Sequence, residues 1–168
     1  MRLFFGFQLS PDTARAIADW RTRALPQIGK IVPQHNFHVT LVFLGSVSPS
    51  QLEDLIQKAD QLTPQPINLT LDTLGYFPGA RALWIGPSKI PAALVELQAA
   101  LEDSAREVGL ETDKRPYTPH VTLFRKCKAR PPESGLQLSL SLSFSGFSLF
   151  HSISTDQGVE YVPIHAWP

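Results

Sequence analysis

Cysteine is nearly missing from this chain. Cys127 stands alone, so no internal disulfide can form and no thiolate cluster can hold a metal, a pattern that fits a reducing compartment. Net charge is missing too, because fifteen Lys and Arg balance fifteen Asp and Glu. Without a positive field, strong nonspecific binding to long nucleic acid is excluded, and any nucleic-acid role has to rest on a local patch. Long apolar runs are also absent. The opening stretch MRLFFGFQLS holds roughly a third of the apolar length a bilayer demands, and no small-residue cleavage site follows it, so it reads as a buried strand of a cytoplasmic protein. Fifteen prolines and ten glycines are scattered as punctuation, leaving no linker, and residues 1–168 read as one domain able to bury a core.

What is present is a regular alternation of short apolar runs and amphipathic segments. Leu3–Leu9 reads as a strand, and Ser10-Pro11-Asp12 then has the grammar of a helix start: a capping hydroxyl, a proline in the first turn, an acid near the positive end of the dipole. That helix is expected to run to about Leu25. Val32–Leu44 holds the next strand, ended by Gly45. Ser48-Pro49 repeats the start signal, with Leu52, Leu55, Ile56, Ala59 and Leu62 on one helical face. Ile67–Tyr76 alternates, Arg81–Gly86 is a short strand, and Pro91 opens a third helix that Gly109 stops. A strand over about Thr118–Lys126 follows, then the polar loop KARPPESG. In LQLSLSLSFS the residues Leu136, Leu138, Leu140, Leu142 and Phe144 face one way and serines the other, which favours antiparallel sheet with one wet face. Phe147–His151 and Val159–His165 complete the strands. The order predicts an α+β fold of two similar halves, each an antiparallel sheet backed by helix.

The tetrapeptide HVTL occurs twice, at His38–Leu41 and at His120–Leu123, in a chain with only five histidines. On a strand, residues two apart share a face, so His38 projects with Thr40 and His120 with Thr122, while the valines and leucines anchor the opposite face. If the halves meet across a cleft, two imidazoles and two hydroxyls surround one small volume. Such a set suits a reaction that takes one proton and delivers another, and hydroxyls bond anionic oxygens without adding charge. Attack on a phosphodiester needs a base, an acid and donors to the phosphate oxygens. Arg125, just beyond the second copy, offers a guanidinium fork for phosphate, and Pro119 keeps Thr118 extended.

FHVTLVFLG and RPYTPHVTLFR resemble the two signature motifs of the two-histidine (2H) phosphoesterase family, and most closely its bacterial RNA 2′,3′-cyclic phosphodiesterases, also called 2′–5′ RNA ligases. The similarity extends through RLFFGFQLSP, LTLDTLGYFPGARALWIG and the late FSLFHS and GVEYVPIHAW strands. The resemblance implies a bilobal α+β fold with pseudo-symmetric lobes and the active cleft between them. It implies hydrolysis of 2′,3′-cyclic phosphate ends to 2′-phosphomonoesters, with His120 as proton acceptor and His38 as proton donor. The residues alone leave open which histidine takes which role. Thr40, Thr122 and Arg125 would hold the phosphate, and Tyr117 would shape the pocket. The reverse reaction, joining ends through a 2′–5′ bond, occurs in some relatives. The implied partners are nucleotides or RNA ends bearing the cyclic phosphate, tRNA fragments among them, for a monomer that needs neither membrane, cofactor nor metal.

Two other readings compete. A nucleotide- or RNA-binding module would keep the cleft without catalysis, but binding alone has no use for two proton-transfer groups. A metal hydrolase would use His38, His120 and a carboxylate such as Asp113. Lys114, Arg115, Arg125, Lys126, Lys128 and Arg130 make the surroundings of the second motif basic, a local patch fit to touch RNA. Phe77 and Trp84 are read as core or rim with a capacity to stack on a base. His35, His151 and His165 are read as structural or exposed, and Cys127 as packing.

Overall fold

A computed structural model describes residues 1–130 and 137–168. In chain order its elements are β1 (Arg2–Gln8), α1 (Pro11–Ala24), β2 (Lys30–Ile31), a 3-10 turn at Gln34–Asn36, β3 (His38–Ser46), α2 (Pro49–Ala59), β4 (Ile67–Leu71), β5 (Thr73–Phe77), β6 (Ala82–Gly86), α3 (Ala92–Glu107), β7 (Val121–Arg125), β8 (Leu140–Phe144), β9 (Phe147–Thr155) and β10 (Gly158–Trp167). The helix starts follow the expected chemistry. Ser10 Oγ accepts from the Thr13 amide, and Ser48 and Gln51 close a reciprocal capping box, which satisfies amides that the first turn leaves without partners.

Every strand pairing is antiparallel, in one sheet of order β10-β9-β1-β3, a second of order β2-β7-β6-β5, and a small pair β4-β8. The fold is therefore α+β, as expected. The two larger sheets do not follow the halves of the chain, because the C-terminal hairpin β9-β10 returns to the sheet that β1 began. The motif valines and leucines, Val39, Leu41, Val121 and Leu123, sit together in one continuous buried cluster with Phe5, Phe7, Leu55 and Ile85. That shared core fixes the sheets to each other.

Several boundaries differ from the sequence reading, each for a local reason. The first motif strand starts at His38 and passes through Gly45, whose φ of 67° only a residue without Cβ adopts freely, to end at Ser46. Ile67–Tyr76 is two strands in two sheets. They part at Asp72, whose carboxylate accepts from the amide and hydroxyl of Ser88 and pins the crossover. The second motif strand is shorter than Thr118–Lys126, since Pro119 has no amide to donate and Lys126 takes a φ of 52°. In the leucine–serine run, β8 begins only at Leu140, with Ser141 and Ser143 exposed, and Leu136 lies outside the described residues. The C-terminal hairpin is longer than predicted, reaching Trp167.

Candidate active site

Both HVTL segments bend in the same place. In β3 the register passes from Gly6↔Thr40 to Phe5↔Val42, leaving Leu41 without a partner. In β7 it passes from Trp84↔Thr122 to Leu83↔Phe124, leaving Leu123 without one. Each motif leucine thus sits at a β-bulge, which shifts the alternation of side chains by one residue. The consequence is that Phe43 joins His38 and Thr40 on one face of β3, and Arg125 joins Thr122 on one face of β7.

The rings are held in matching ways. His38 Nδ1 lies 2.8 Å from the carbonyl oxygen of Asn36, and His120 Nδ1 lies 2.7 Å from that of Thr118, in both cases the residue two positions earlier. A carbonyl only accepts, so each Nδ1 carries the proton and each Nε2 is left as the working nitrogen. His38 Nε2 is 2.9 Å from Thr40 Oγ1, whereas the Thr122 hydroxyl makes no hydrogen bond among the described residues. Both rings are half-buried. His38 rests on Phe4, at 4.9 Å between centroids, and meets Tyr161 edge-on at 4.7 Å. His120 meets Phe77 edge-on at 5.0 Å and Trp84 at 5.6 Å.

The two motifs converge. Cα atoms of β3 and β7 come within 8 Å of one another. Tyr117 Oη donates to the carbonyl oxygen of Thr40 at 2.7 Å, tying the approach to the second motif onto the strand of the first. This commits the Tyr117 hydroxyl to the backbone, where burial pushes its pKa up, and makes its contribution to the pocket that of a brace. A second brace is the buried Arg21 of α1, whose Nη1 donates to the carbonyl oxygens of Val32 and Leu123 at 2.7 and 2.9 Å, with its guanidinium over Phe37.

Arg125 reaches from β7 toward the first sheet, where its Nη2 lies 3.3 Å from Tyr161 Oη. Burial pulls the His38 pKa down to about 4, partly offset by the bond to Asn36, and the charges of Arg125 and His120 lower it further. The His120 pKa is lowered by burial as well, against the bond to Thr118, and Arg125 again lowers it. The charge of one guanidinium therefore acts on both imidazoles. Beside them opens a cavity of about 740 Å³, lined by Phe4, Phe43, Arg125 and Tyr161 among others.

Two residues of this constellation escaped the sequence reading. Tyr161 comes from β10, far along the chain, and Asn36 holds His38 through its carbonyl while its Nδ2 donates to Val159 of β10 at 2.8 Å. An aromatic alternating along GVEYVPIHAW was the only available signal for the first, and the second had none. The remaining candidates fall away from the site. His35 is exposed on the 3-10 turn, and His165 packs at a tilt against Trp167, 4.3 Å between ring centroids. Cys127 is buried. Asp113, the carboxylate of the metal reading, is chelated by Arg115, with contacts of 2.6 to 3.0 Å. Among the described residues no group of three or more His, Cys, Asp or Glu is arranged to hold a metal ion. The basic cluster around the second motif is exposed throughout.

The chain has relatives among known proteins. The sequence profile of the 2'-5' RNA ligase superfamily matches residues 9–144. The RNA 2',3'-cyclic phosphodiesterase of Escherichia coli is 30% identical over 167 residues, covering 99% of this chain and 95% of its own length. The Thermus thermophilus protein of the same name is 29% identical over 96% of this chain and 86% of its own. A crystal structure of E. coli LigT complexed with 3'-AMP superposes with a TM-score of 0.90 at 31% identity, over 99% of this chain and 96% of that one.

Proposed function

The chain belongs to the 2'-5' RNA ligase superfamily and is a phosphodiesterase, and we propose that it opens the 2′,3′-cyclic phosphate at RNA ends by acid–base catalysis between His38 and His120. The observation that carries this reading is the matched pair of rings. Each is locked through Nδ1 to a carbonyl two residues back, and both lie under the field of Arg125.

Roles are assigned from the family resemblance. His120 Nε2 takes a proton from water as the oxygen attacks phosphorus. The bond from phosphorus to the 3′-oxygen breaks, and His38 Nε2–H delivers a proton to that oxygen, leaving the phosphate on the 2′-hydroxyl. Thr40, Thr122 and Arg125 donate to the non-bridging oxygens, where charge accumulates in the transition state. The low pKa of His38 in the free protein follows from burial, and an arriving phosphate anion offsets that cost, so the acid is charged by its own substrate. With a 5′-hydroxyl in place of water, the same groups in the same roles join the cyclic end to that hydroxyl through a 2′–5′ bond: His120 takes the hydroxyl's proton, the bond from phosphorus to the 3′-oxygen breaks, and His38 protonates the departing oxygen. Nothing in this sequence of proton transfers passes through a metal.

The deciding experiment uses an oligonucleotide ending in a 2′,3′-cyclic phosphate, incubated with the protein in excess chelator, with the product resolved by chromatography and phosphorus NMR. A terminal 2′-phosphate is the expected product. A 3′-phosphate would reverse the assigned leaving group, and turnover restored only by a divalent ion would remove the metal-independent mechanism. A bound but unchanged oligonucleotide would favour the binding-module reading.

A further inference from the structure

The core-facing side of α1 runs through Ala14, Ile17 and Arg21, so an arginine stands where the helical pattern calls for an apolar residue. Arg21 is only 7% exposed, and no carboxylate pairs with it among the described residues. Burying a cation without a counter-charge costs stability, and burial lowers its pKa. A methionine would fill the same space without that cost. What sets Arg21 apart is what it touches. Its Nη1 donates to the carbonyl oxygens of Val32 and Leu123 at 2.7 and 2.9 Å, and its guanidinium lies over the rings of Phe37 and Phe124. Leu123 is the bulged residue of the second motif, the one that the register with β6 skips. A bulge leaves its extra residue outside the ladder, and its backbone groups need other partners. The Leu123 carbonyl has two, the Val32 amide at 3.0 Å and Arg21. Both lie just past the point where the β2–β7 ladder ends, at Ile31↔Phe124.

We propose that Arg21 is a positioning residue for the reaction: by holding the Leu123 carbonyl it fixes the bulge of the second motif, and through the bulge the aim of Arg125 at the phosphate. The inference rests on the phosphodiesterase reading and deepens it, naming a residue outside the cleft on which the phosphate-binding guanidinium depends. Three observations support it. Without the bulge, Arg125 would fall on the face opposite Thr122, because side chains alternate along a strand. Arg125 is also the last residue of β7, before Lys126 turns the chain at a φ of 52°. Its direction is therefore set by its pairing with Lys30 and by the bulge two residues back. The first motif supplies the contrast. Its bulge at Leu41 aims the apolar Phe43, and the side chain meeting its carbonyl is Gln98, whose neutral Nε2 donates at 3.5 Å. The short, charged anchor stands behind the copy whose bulge aims a charged group.

The test replaces Arg21 by methionine, which fills the space without a donor, and by lysine, which keeps a charged donor. Arg21→Met should lower kcat/KM on a 2′,3′-cyclic phosphate substrate by roughly 3- to 30-fold, less than removal of Arg125 itself, because a misaimed guanidinium keeps part of its bond. Arg21→Lys should recover part of that loss. In an Arg125→Ala background, Arg21→Met should cause no further loss. Losses that multiply, or a wild-type kcat/KM in Arg21→Met, would overturn the proposal. A second readout needs no substrate. The charge of Arg125 lowers the pKa of both His38 and His120, so a guanidinium turned out of the cleft lets both rise. NMR titration of the two imidazoles in Arg21→Met should show both moving up, toward their values in Arg125→Ala. Imidazoles that titrate as in wild type would reduce Arg21 to a packing residue. If Arg21→Met does not fold, Arg21→Gln, shorter and neutral, is measured in the same two ways with the same outcomes expected. The titration stands apart from turnover, so a failure of the hydrolytic reading is distinguished from a failure of this one.

Discussion

The two HVTL strands are alike in sequence and unlike in setting. β3 lies at the edge of its sheet, whereas β7 is enclosed between β2 and β6. Both copies lock Nδ1 of their histidine and both bulge at their leucine. The differences lie in what surrounds them. His38 lies on Phe4, is bonded to Thr40 and has its pKa shifted down to about 4, while the Thr122 hydroxyl is left without a protein partner among the described residues. The corresponding third residue is an apolar ring in one copy and a guanidinium in the other. A repeated tetrapeptide thus supplies the same frame twice, and its neighbours make two identical side chains chemically unequal. A pair that shares acid and base duties works with one proton between its two rings, and unequal surroundings decide which ring holds it at each stage.

The strongest way to break the comparison is to remove either ring. His38→Ala and His120→Ala should each lower kcat by on the order of 10²–10⁴, with thermal melting close to wild type. The double substitution should cost little more than the worse single one, because proton transfers that act as a unit are not additive. Steady-state kinetics on the cyclic-phosphate oligonucleotide settles this. Full retention of activity in either single variant would show that the repeat is decorative.

Removing Arg125 tests what the two copies share. Arg125→Ala should lower kcat/KM by roughly 10- to 100-fold, the cost of losing a charged hydrogen bond to the phosphate. It should also move the pH profile. The working form carries one proton between two imidazoles. Below the lower pKa no base remains, and above the higher no acid remains, so kcat/KM in wild type is bell-shaped. Both rings are shifted down, His38 to about 4 and His120 below the ordinary 6.5, so the bell for the free protein lies on the acid side of neutrality. The charge of Arg125 helps to hold both values down, and its removal should displace both limbs toward higher pH. The kcat profile, which reports the loaded enzyme, should lie alkaline of the kcat/KM profile, because a bound anion stabilises imidazolium. A kcat/KM bell centred above pH 7 would contradict the downward shift of the two rings.

Much of this arrangement was legible before any coordinates. Helix starts at Ser10 and Ser48, the antiparallel leucine–serine strand and the shared faces of His38 with Thr40 and His120 with Thr122 follow from capping chemistry and from a period of two. The bulges do not, since a period of two would have put Val42, not Phe43, beside Thr40. They arise from strand pairing, which depends on residues elsewhere in the chain. Asn36 and Tyr161 were hidden for the same reason. Their roles depend on β9 pairing with β1, which brings β10 into the same sheet as β3, and a pairing between the two ends of the chain leaves no local periodicity. Tyr117 stood in the motif and was expected to shape the pocket, but its bond to Thr40 is a long-range contact.

Tyr161 offers the finest division between the copies, because it touches both: its ring edge meets His38 and its hydroxyl meets Arg125. Tyr161→Phe keeps the ring and deletes the hydroxyl, so the contact with His38 survives while Arg125 loses its bond to the opposite sheet. The expected loss in kcat/KM is about 2- to 10-fold, the ordinary range for one neutral donor or acceptor. A double-mutant cycle gives this small number its meaning. If the hydroxyl acts only by holding the guanidinium over the cleft, Tyr161→Phe should have no further effect once Arg125 is alanine. If the two losses multiply instead, the hydroxyl serves the His38 side on its own, and the bridge between the copies is structural rather than functional.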